Sequence, residues 1–394
     1  MNPVRPFTKK DIPQVIELFQ KVFFNNGQKA PSLPKLEAYF EEMFFHNPWT
    51  RKGTRKGTRE GTREGTREEI EESAEESAEE KITSLVYEAS DGAIIGFIGI
   101  IPRRMLLNGR PIRAATSMHF MVEPGSRSTL AGVQLLKTFF SGPQELSLTD
   151  SGGAVGRKIW EGLGGATALA YSINWIRLLR PSRYVLRLLA RKNMLLRLFA
   201  VALRPLCPIV DAMASRALPH RFGRPGAALQ ATDLDQETLL AGITQFPSGY
   251  ALRPDYDPGS LFWLLGKADQ LARPGALRKI ALRDDAGELV GWYLYELSAD
   301  GLGEVLQIVG RKKSFGDVLD HLFYHGWRNG AISLSGRLDP KFAQEFSDKY
   351  CFFNCGGPWT LTHSRNPEIL QAIYQGDLFL TRLEGEWCVR CQNE

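Results

Sequence analysis

At 394 residues the chain is long for one hydrophobic core, so two or more units are expected. Hydrophobic residues at 43% and charged residues at 24% supply ample core and exclude a collagen-like or wholly disordered chain. The formal net charge of +5 comes largely from arginines between Arg177 and Arg224 and is too modest for a dedicated nucleic-acid binder, so no nucleic-acid partner is expected.

The opening, MNPVRPFTKKD, lacks the apolar run of a secretory leader and reads as a short strand entering a helix. Thr8 and Asp11 suit a capping box, and Ile12, Val15, Ile16, Phe19, Val22 and Phe23 follow at helical spacing. Between Arg51 and Glu80 the text becomes GTRKGTREGTRE and then EESAEESAEE, with almost nothing apolar to bury, which reads as a solvated insertion in a loop. From Ile82 the period changes. LVYEAS, AIIGFIGII and PIRAATSMHFMV are separated by Asp91-Gly92 and Asn108-Gly109, pairs that favour tight hairpins, so an antiparallel meander is expected. Leu130, Val133, Leu136 and Phe140 then mark a helix, ELSLTD a strand, and Ala154 to Leu163 another helix.

Arginine-rich amphipathic helices run from Arg183 to about Arg221 and end near Gly223-Arg224-Pro225-Gly226, a linker by composition. Arg187, Arg191, Lys192, Arg197 and Arg204 interrupt the leucines, leaving no run of about 20 nearly uncharged residues to span a bilayer. These helices are expected to pack between the two units with their arginines turned outward. The same pattern allows weak association with an anionic surface, without stable membrane insertion. A second α/β stretch follows: a hairpin around Asp285-Ala286-Gly287, then VLQIVG, a helix from Ser314 to Arg328, AISLSG, a short helix, WTLTH and LFLTRLEGEW. Its order repeats the first half in looser form.

Cys351-x-x-x-Cys355 and Cys388-x-x-Cys391, with His363 nearby in sequence, have spacing permissive for zinc, but Phe352, Phe353 and Trp387 around them suggest core strands, and no metal is expected. With Cys207 the cysteines number five, too sparse for a disulfide scaffold, and an odd count fits free thiols in a reducing compartment, so a cytoplasmic location is expected.

The segment richest in chemistry is His119-Phe120-Met121-Val122-Glu123-Pro124-Gly125-Ser126-Arg127-Ser128-Thr129-Leu130-Ala131-Gly132, a strand that ends in a short loop and opens a helix. Free N–H groups at a helix start, with small residues permitting close approach, make an anion site suited to a pyrophosphate. Here the sequence resembles the GCN5-related N-acetyltransferase (GNAT) family. That family's strand ending in V-x-P, followed by R/Q-x-x-G-x-G/A, is matched by Val122, Pro124, Arg127 and Gly132, with Leu130 where the first glycine is expected. Trp160-Glu161-Gly162-Leu163-Gly164-Gly165 stands where the family has a pattern like Y-E-K-L-G-F, without its tyrosine, and VRPFTKKDIPQVIELFQKVF is similar to the family's first strand and helix.

The resemblance covers residues 1 to about 180, the insertion excepted, and implies an α/β (α+β) fold in which a mixed, mostly antiparallel sheet is flanked by helices. The expected organisation is a GNAT-like catalytic unit over 1–180 with 51–80 inserted, an arginine-rich helical linker over 181–226, and a second, divergent GNAT-like unit over 227–394 that shapes the acceptor pocket. The implied activity is acyl-CoA-dependent N-acyl transfer, in the simplest case N-acetyl transfer, from acetyl-CoA or another acyl-CoA to a small-molecule or peptide amine. Met121, Val122, Arg127, Ser128, Thr129, Leu130, Ala131 and Gly132 would hold the donor. Glu123 or His119, placed by strand alternation on the same face as Met121, would be the base. Tyr171 would replace the family's tyrosine as acid. The competing expectation is a non-catalytic binding or scaffold protein that keeps the fold, which Leu130 and Trp160 favour.

Overall fold

The computed structural model describes residues 3–24, 30–50, 81–125, 130–217, 229–272 and 276–391. The repeat insertion at 51–80 and three of the expected donor-binding residues, Arg127, Ser128 and Thr129, lie outside them. Strand β1 (Val4–Pro6) leads through the Thr8–Asp11 capping box into helix α1 (Ile12–Phe23), and α2 (Leu33–Phe45) follows. Thr8 N–H and Oγ1 each lie 2.8 Å from Asp11 Oδ2, and Arg5 fixes the same carboxylate from the other side.

The meander is present as β2 (Leu85–Glu88), β3 (Ile94–Leu107) and β4 (Arg110–Val122). Asn108 and Gly109 both adopt positive φ, 50° and 83°, the two left-handed residues that a tight β3–β4 turn requires. The first eight residues of β3 are all buried, because helices cover both faces of this central strand and an unbroken apolar run replaces alternation. Helix α3 (Ala131–Phe140), strand β5 (Leu146–Gly152), helix α4 (Ala154–Gly162), β6 (Ala166–Thr167) and β7 (Asn174–Leu178) complete the first half.

Helices α5 (Pro181–Ala190), α6 (Met194–Leu203) and α7 (Cys207–Ala217) come next. They were expected to fill space between the two units, yet among their residues only Ala200 and Cys207 are buried. The second half contains β8 (Gln230–Asp233), α8 (Gln236–Gln245), β9 (Leu252–Pro254), α9 (Pro258–Leu271), β10 (Leu277–Arg283), β11 (Leu289–Leu297), β12 (Leu302–Gly310), α10 (Phe315–Arg328), β13 (Ser333–Arg337), α11 (Ala343–Asp348), β14 (Phe352–Asn354), β15 (Trp359–Ser364) and α12 (Pro367–Tyr374).

Among the described residues two sheets result, both mostly antiparallel. One runs β1-β2-β3-β4-β5-β15-β6 with β9 on β3, and the other β14-β7-β13-β12-β11-β10-β8. The expected boundaries near 180 and 227 follow the chain rather than the sheets. Strand β15, expected in the second unit, closes the first sheet against β5, and β7 from the first half pairs with β13 and β14 in the second sheet. Each half thus lends the other a strand. Between the sheets one continuous core gathers α1, α2, α8, α9 and the segment from Phe379 to Val389, while α3 and α4 cover the outer face of the first sheet and α10 covers that of the second.

The sheets are also joined by a buried ion pair: Arg337 Nη2, at the end of β13, donates to Asp150 Oδ2 of β5 at 2.6 Å, with side chains 9% and 5% exposed. Removing one member of a buried pair strands the other without compensation. Arg337→Ala should therefore lower unfolding free energy by about 3–5 kcal/mol in urea denaturation. A loss below about 1 kcal/mol, the scale of exposed pairs, would show that this contact does not tie the sheets together.

Candidate functional site

Strands β4 and β5 run parallel but pair only where Ala114–Thr116 faces Leu146–Leu148, and beyond those residues they part. The parting has a local cause. The β3–β4 register shifts between Phe97 and Gly99, so His119 and Phe120 together oppose Ile98, and His119 takes the left-handed φ of 48°. Such a bulge bends a strand and leaves its extra residue unpaired. The resulting cleft has a volume of about 680 Å³, within the usual range for ligand sites. Its walls come from Ser117 to Phe120 of β4, from Thr149 and Ser151 to Gly156 of β5 and α4, and from Phe19, Phe23 and Phe24 around the end of α1; Glu386, Arg390 and Cys391 enter from the end of the chain.

Three side chains from distant parts of the sequence meet at the bulge. Tyr39 Oη donates to the Val389 carbonyl at 2.7 Å and lies 2.5 Å from His119 Nε2, while His119 Nδ1 is 3.5 Å from Glu386 Oε1. A tyrosine has one proton. With that proton on Val389, its oxygen accepts from His119 Nε2–H, which leaves Nδ1 as the acceptor facing Glu386. Burial holds the imidazole down at about 3, so it is neutral near pH 7. Burial first, and the neighbouring Asp150 carboxylate second, push the Glu386 carboxyl up to about 8. Glu386 Oε2 is buried without a hydrogen-bond partner among the described residues, although the side chain as a whole remains 15% exposed in the cleft wall.

Asp150 also positions Glu386. Its Oδ1 accepts the Glu386 N–H at 2.8 Å, and a Cβ on Gly385 would lie only 1.8 Å from Oδ2, so the backbone can approach this closely only at glycine. The C-terminal segment is thereby pressed against the open end of β5.

The residues singled out from sequence are placed as follows. His119 lines the cleft and packs edge-on against Phe19 and near Phe40. Met121 is buried in the shared core, and Glu123 turns toward α1, its Oε1 3.4 Å from Lys21 Nζ; neither lines the cleft. Tyr171 is buried in a separate core with Ile369 and Ile373, accepts the Leu378 N–H at 2.8 Å, and does not reach the cleft. Val122 and Gly132 face each other: a Cβ on Gly132 would meet Phe120 Cζ at 3.1 Å and Val122 Cγ2 at 3.4 Å, so this glycine lets α3 lie close on β4. Ala131 is buried beside it. Leu130, which stands in place of the family's first glycine, takes the left-handed backbone glycine favours, φ 57°, with its side chain 61% exposed. Trp160 is a core residue whose Nε1–H donates to the Thr362 carbonyl at 3.0 Å.

Sequence reasoning missed Tyr39, Asp150 and Glu386. The available signal was a charged pair, Glu384 and Glu386, set inside the apolar run LFLTRLEGEWCV. Among the described residues no group of three or more His, Cys, Asp and Glu side chains is placed to hold a metal ion, and no helix is long and apolar enough to cross a membrane.

No protein-family model matches the chain, and no curated protein matches it in sequence. Solved structures do. The chain is similar to a conserved protein of unknown function from Enterococcus faecalis that carries the name probable N-acyltransferase, with TM-score 0.53 and 8% identity over 94% of this chain and 73% of that one. It is similar to a GCN5-related N-acetyltransferase from Anabaena variabilis, also at TM-score 0.53, with 11% identity over 94% of this chain and 74% of that one. The fold is that of the GCN5-related N-acetyltransferases.

The shifted carboxyl gives a signed pH dependence. Glu386 rises from 4.5 to about 8 on folding, so between those values the folded chain holds the extra proton and stability falls as pH rises. His119 acts oppositely, falling from 6.5 to about 3, so its contribution grows as pH climbs through that window. Glu386→Gln removes the first effect alone. The variant's unfolding free energy relative to wild type should grow from pH 4.5 to about 8 and level off above. Urea unfolding across that range checks it, and a pH-independent difference would return Glu386 to an ordinary carboxyl.

Proposed function

We propose that this chain, built on the GNAT fold, is an acyl-CoA-dependent N-acyltransferase, in the simplest case an N-acetyltransferase, acting on a small-molecule or peptide amine. The observation that carries the reading is the Glu386–His119–Tyr39 chain at the bulge where β4 leaves β5, in a cleft of ligand size. Acyl transfer to an amine needs a slot for the donor and a group to take the amine proton. The gap between the strands offers the slot. Gly153, at the start of α4, has nothing within 4 Å of where a Cβ would stand, so the cleft is open there. Backbone around Met121 and Val122 and the stretch Arg127, Ser128, Thr129, Leu130, Ala131 and Gly132 would hold the donor's pantetheine and phosphates, as the family resemblance implies.

The base assignment moves from Glu123 to Glu386. Glu123 does not line the cleft, whereas Glu386 does and has a carboxyl held near 8, where a general base works best at mildly alkaline pH. When ionised it would accept the proton the amine loses as its nitrogen bonds to the acyl carbon. His119 would act as a positioning residue through its backbone N–H, 3.5 Å from Glu386 Oε1, with its ring fixed by Tyr39. Tyr171, buried elsewhere, would take no part, and the leaving thiol, with a pKa near 8.5, needs no dedicated acid. The second unit would contribute through the C-terminal segment that delivers Glu386, Arg390 and Cys391 to the cleft wall.

Two experiments separate binding from chemistry. Acetyl-CoA at about 100 times its dissociation constant should stabilise the wild-type chain by about 2.7 kcal/mol, and Gly153→Trp, which fills the open cleft, should abolish that shift without unfolding the protein. Stabilisation unchanged in the tryptophan variant would move the donor out of this cleft.

In thiol-release assays with an amine panel, Glu386→Gln should lower kcat by about 10² to 10⁴ with acyl-CoA affinity little changed. The wild-type rate should rise with pH toward an apparent pKa near 8. Full activity of the glutamine variant would assign the base elsewhere.

A further inference from the structure

We infer that the three-helix unit formed by α5, α6 and α7 is a docking surface for an anionic phospholipid membrane. The inference stands independently of the acyl-transfer reading. Half of the large apolar side chains exposed among the described residues lie in these helices, with Met194 67%, Leu195 78%, Leu198 59% and Phe199 58% exposed on α6 alone. Soluble proteins seldom leave so concentrated an apolar patch uncovered.

The charge around the patch indicates what covers it. From 181 to 217 the chain carries seven cations, among them Arg191, Lys192, Arg197 and Arg204, against one acid, Asp211. That acid is used internally, accepting the Ser182 N–H at 2.9 Å. A shallow crevice of about 240 Å³ at the foot of the unit is lined by Arg183, Arg187, Arg197 and Arg204, and Arg183 Nε is buried there without a hydrogen-bond partner among the described residues. Arginines interleaved with leucines and a phenylalanine are what an interfacial helix needs, cations for headgroup phosphates and apolar side chains for the acyl boundary. A second copy of the chain is a poor fit: a symmetric contact would set two arginine-rich faces together with one acid each to offset them. Nucleic acid would satisfy the arginines and leave the leucines in water.

The unit is firmly attached, so docking would orient the whole molecule. Arg180 donates to the Trp327 carbonyl at 2.9 Å and to the Ala331 carbonyl, and Arg187 pairs with Asp300, all in the second sheet's connections.

The test is co-sedimentation of the full chain with vesicles of equimolar phosphatidylcholine and phosphatidylglycerol at low salt, beside pure phosphatidylcholine vesicles. Binding to the anionic vesicles should exceed that to the neutral ones by at least about tenfold and weaken with salt. Leu195→Glu combined with Phe199→Glu, at exposed positions, should reduce it at least about tenfold with the melting temperature unchanged, and Arg191→Gln with Lys192→Gln should reduce it in the same direction. Absence of anionic-vesicle binding, or equal binding to both vesicle types, would overturn the inference. So would a dimer in sedimentation equilibrium that the two glutamates dissolve while vesicle binding persists, because the patch would then be a self-association surface.

Discussion

The site depends on one buried carboxylate. Asp150 stands where β5 leaves β4, and it is held there by Arg337 from the other sheet. Its second oxygen takes the N–H of Glu386, and the absence of a side chain at Gly385 lets the C-terminal segment close on it. A buried charge of this kind is stable only when paired and hydrogen-bonded on its remaining lone pairs, and both conditions are met by groups remote in sequence. The same negative charge then acts on its neighbour, adding to burial in keeping the Glu386 proton on. Holding the sheets together and tuning the acid in the cleft are two consequences of the same contact.

Strand exchange explains why such a contact can be reliable. Because β15 belongs to the first sheet and β7 to the second, neither sheet is complete without the other half of the chain, and the core between them is continuous. The second sheet repeats the geometry of the first: β12 and β13 pair in parallel only over Leu302–Val305 and Ser333–Gly336, then part around a cleft of about 640 Å³. Three of its polar side chains, Tyr250, Asp339 and Lys341, are engaged locally. Tyr250 donates to Asp339, whose carboxyl burial raises to about 6, and Lys341 Nζ donates to the Gly249 carbonyl at 2.7 Å and lies over the Tyr250 ring. The first cleft differs in keeping an unpartnered oxygen, Glu386 Oε2, in its wall.

Local structure was readable wherever neighbouring residues decide it. The Thr8–Asp11 box, the helix from Ile12, the Asn108-Gly109 turn and the helix–strand–helix run from Leu130 to Leu163 all follow from propensity and period, and the structure shows each. Pairing across long separations was not readable. WTLTH alternates as any half-buried strand does, and nothing in those residues says that Leu361 will face Thr149 instead of a strand nearer in sequence. The bulge was hidden for a related reason: alternation predicts a shared face for His119, Met121 and Glu123, and only the register shift shows that His119 alone reaches the cleft. Glu386 was out of reach because its shifted proton affinity arises from burial and from Asp150, neither visible beside it in the text.

Backbone strain follows the same division between what is local and what the whole fold imposes. His119 and Leu130 are two non-glycine residues with left-handed φ, the first standing just before the stretch expected to hold the donor and the second within it. A residue in that conformation costs about 1–3 kcal/mol and persists only when its surroundings overrule local preference. For His119 the surroundings are identifiable, since the Tyr39 hydroxyl holds one ring nitrogen and Phe19 and Phe40 confine the ring, so relaxing φ would break contacts from two helices at once. For Leu130 the side chain is exposed and supplies little, which leaves the tight seating of α3 on β4 through Gly132 as the constraint. Leu130 thus keeps the conformation a glycine would adopt more easily, because the helix that follows cannot be moved without losing its contact with the sheet.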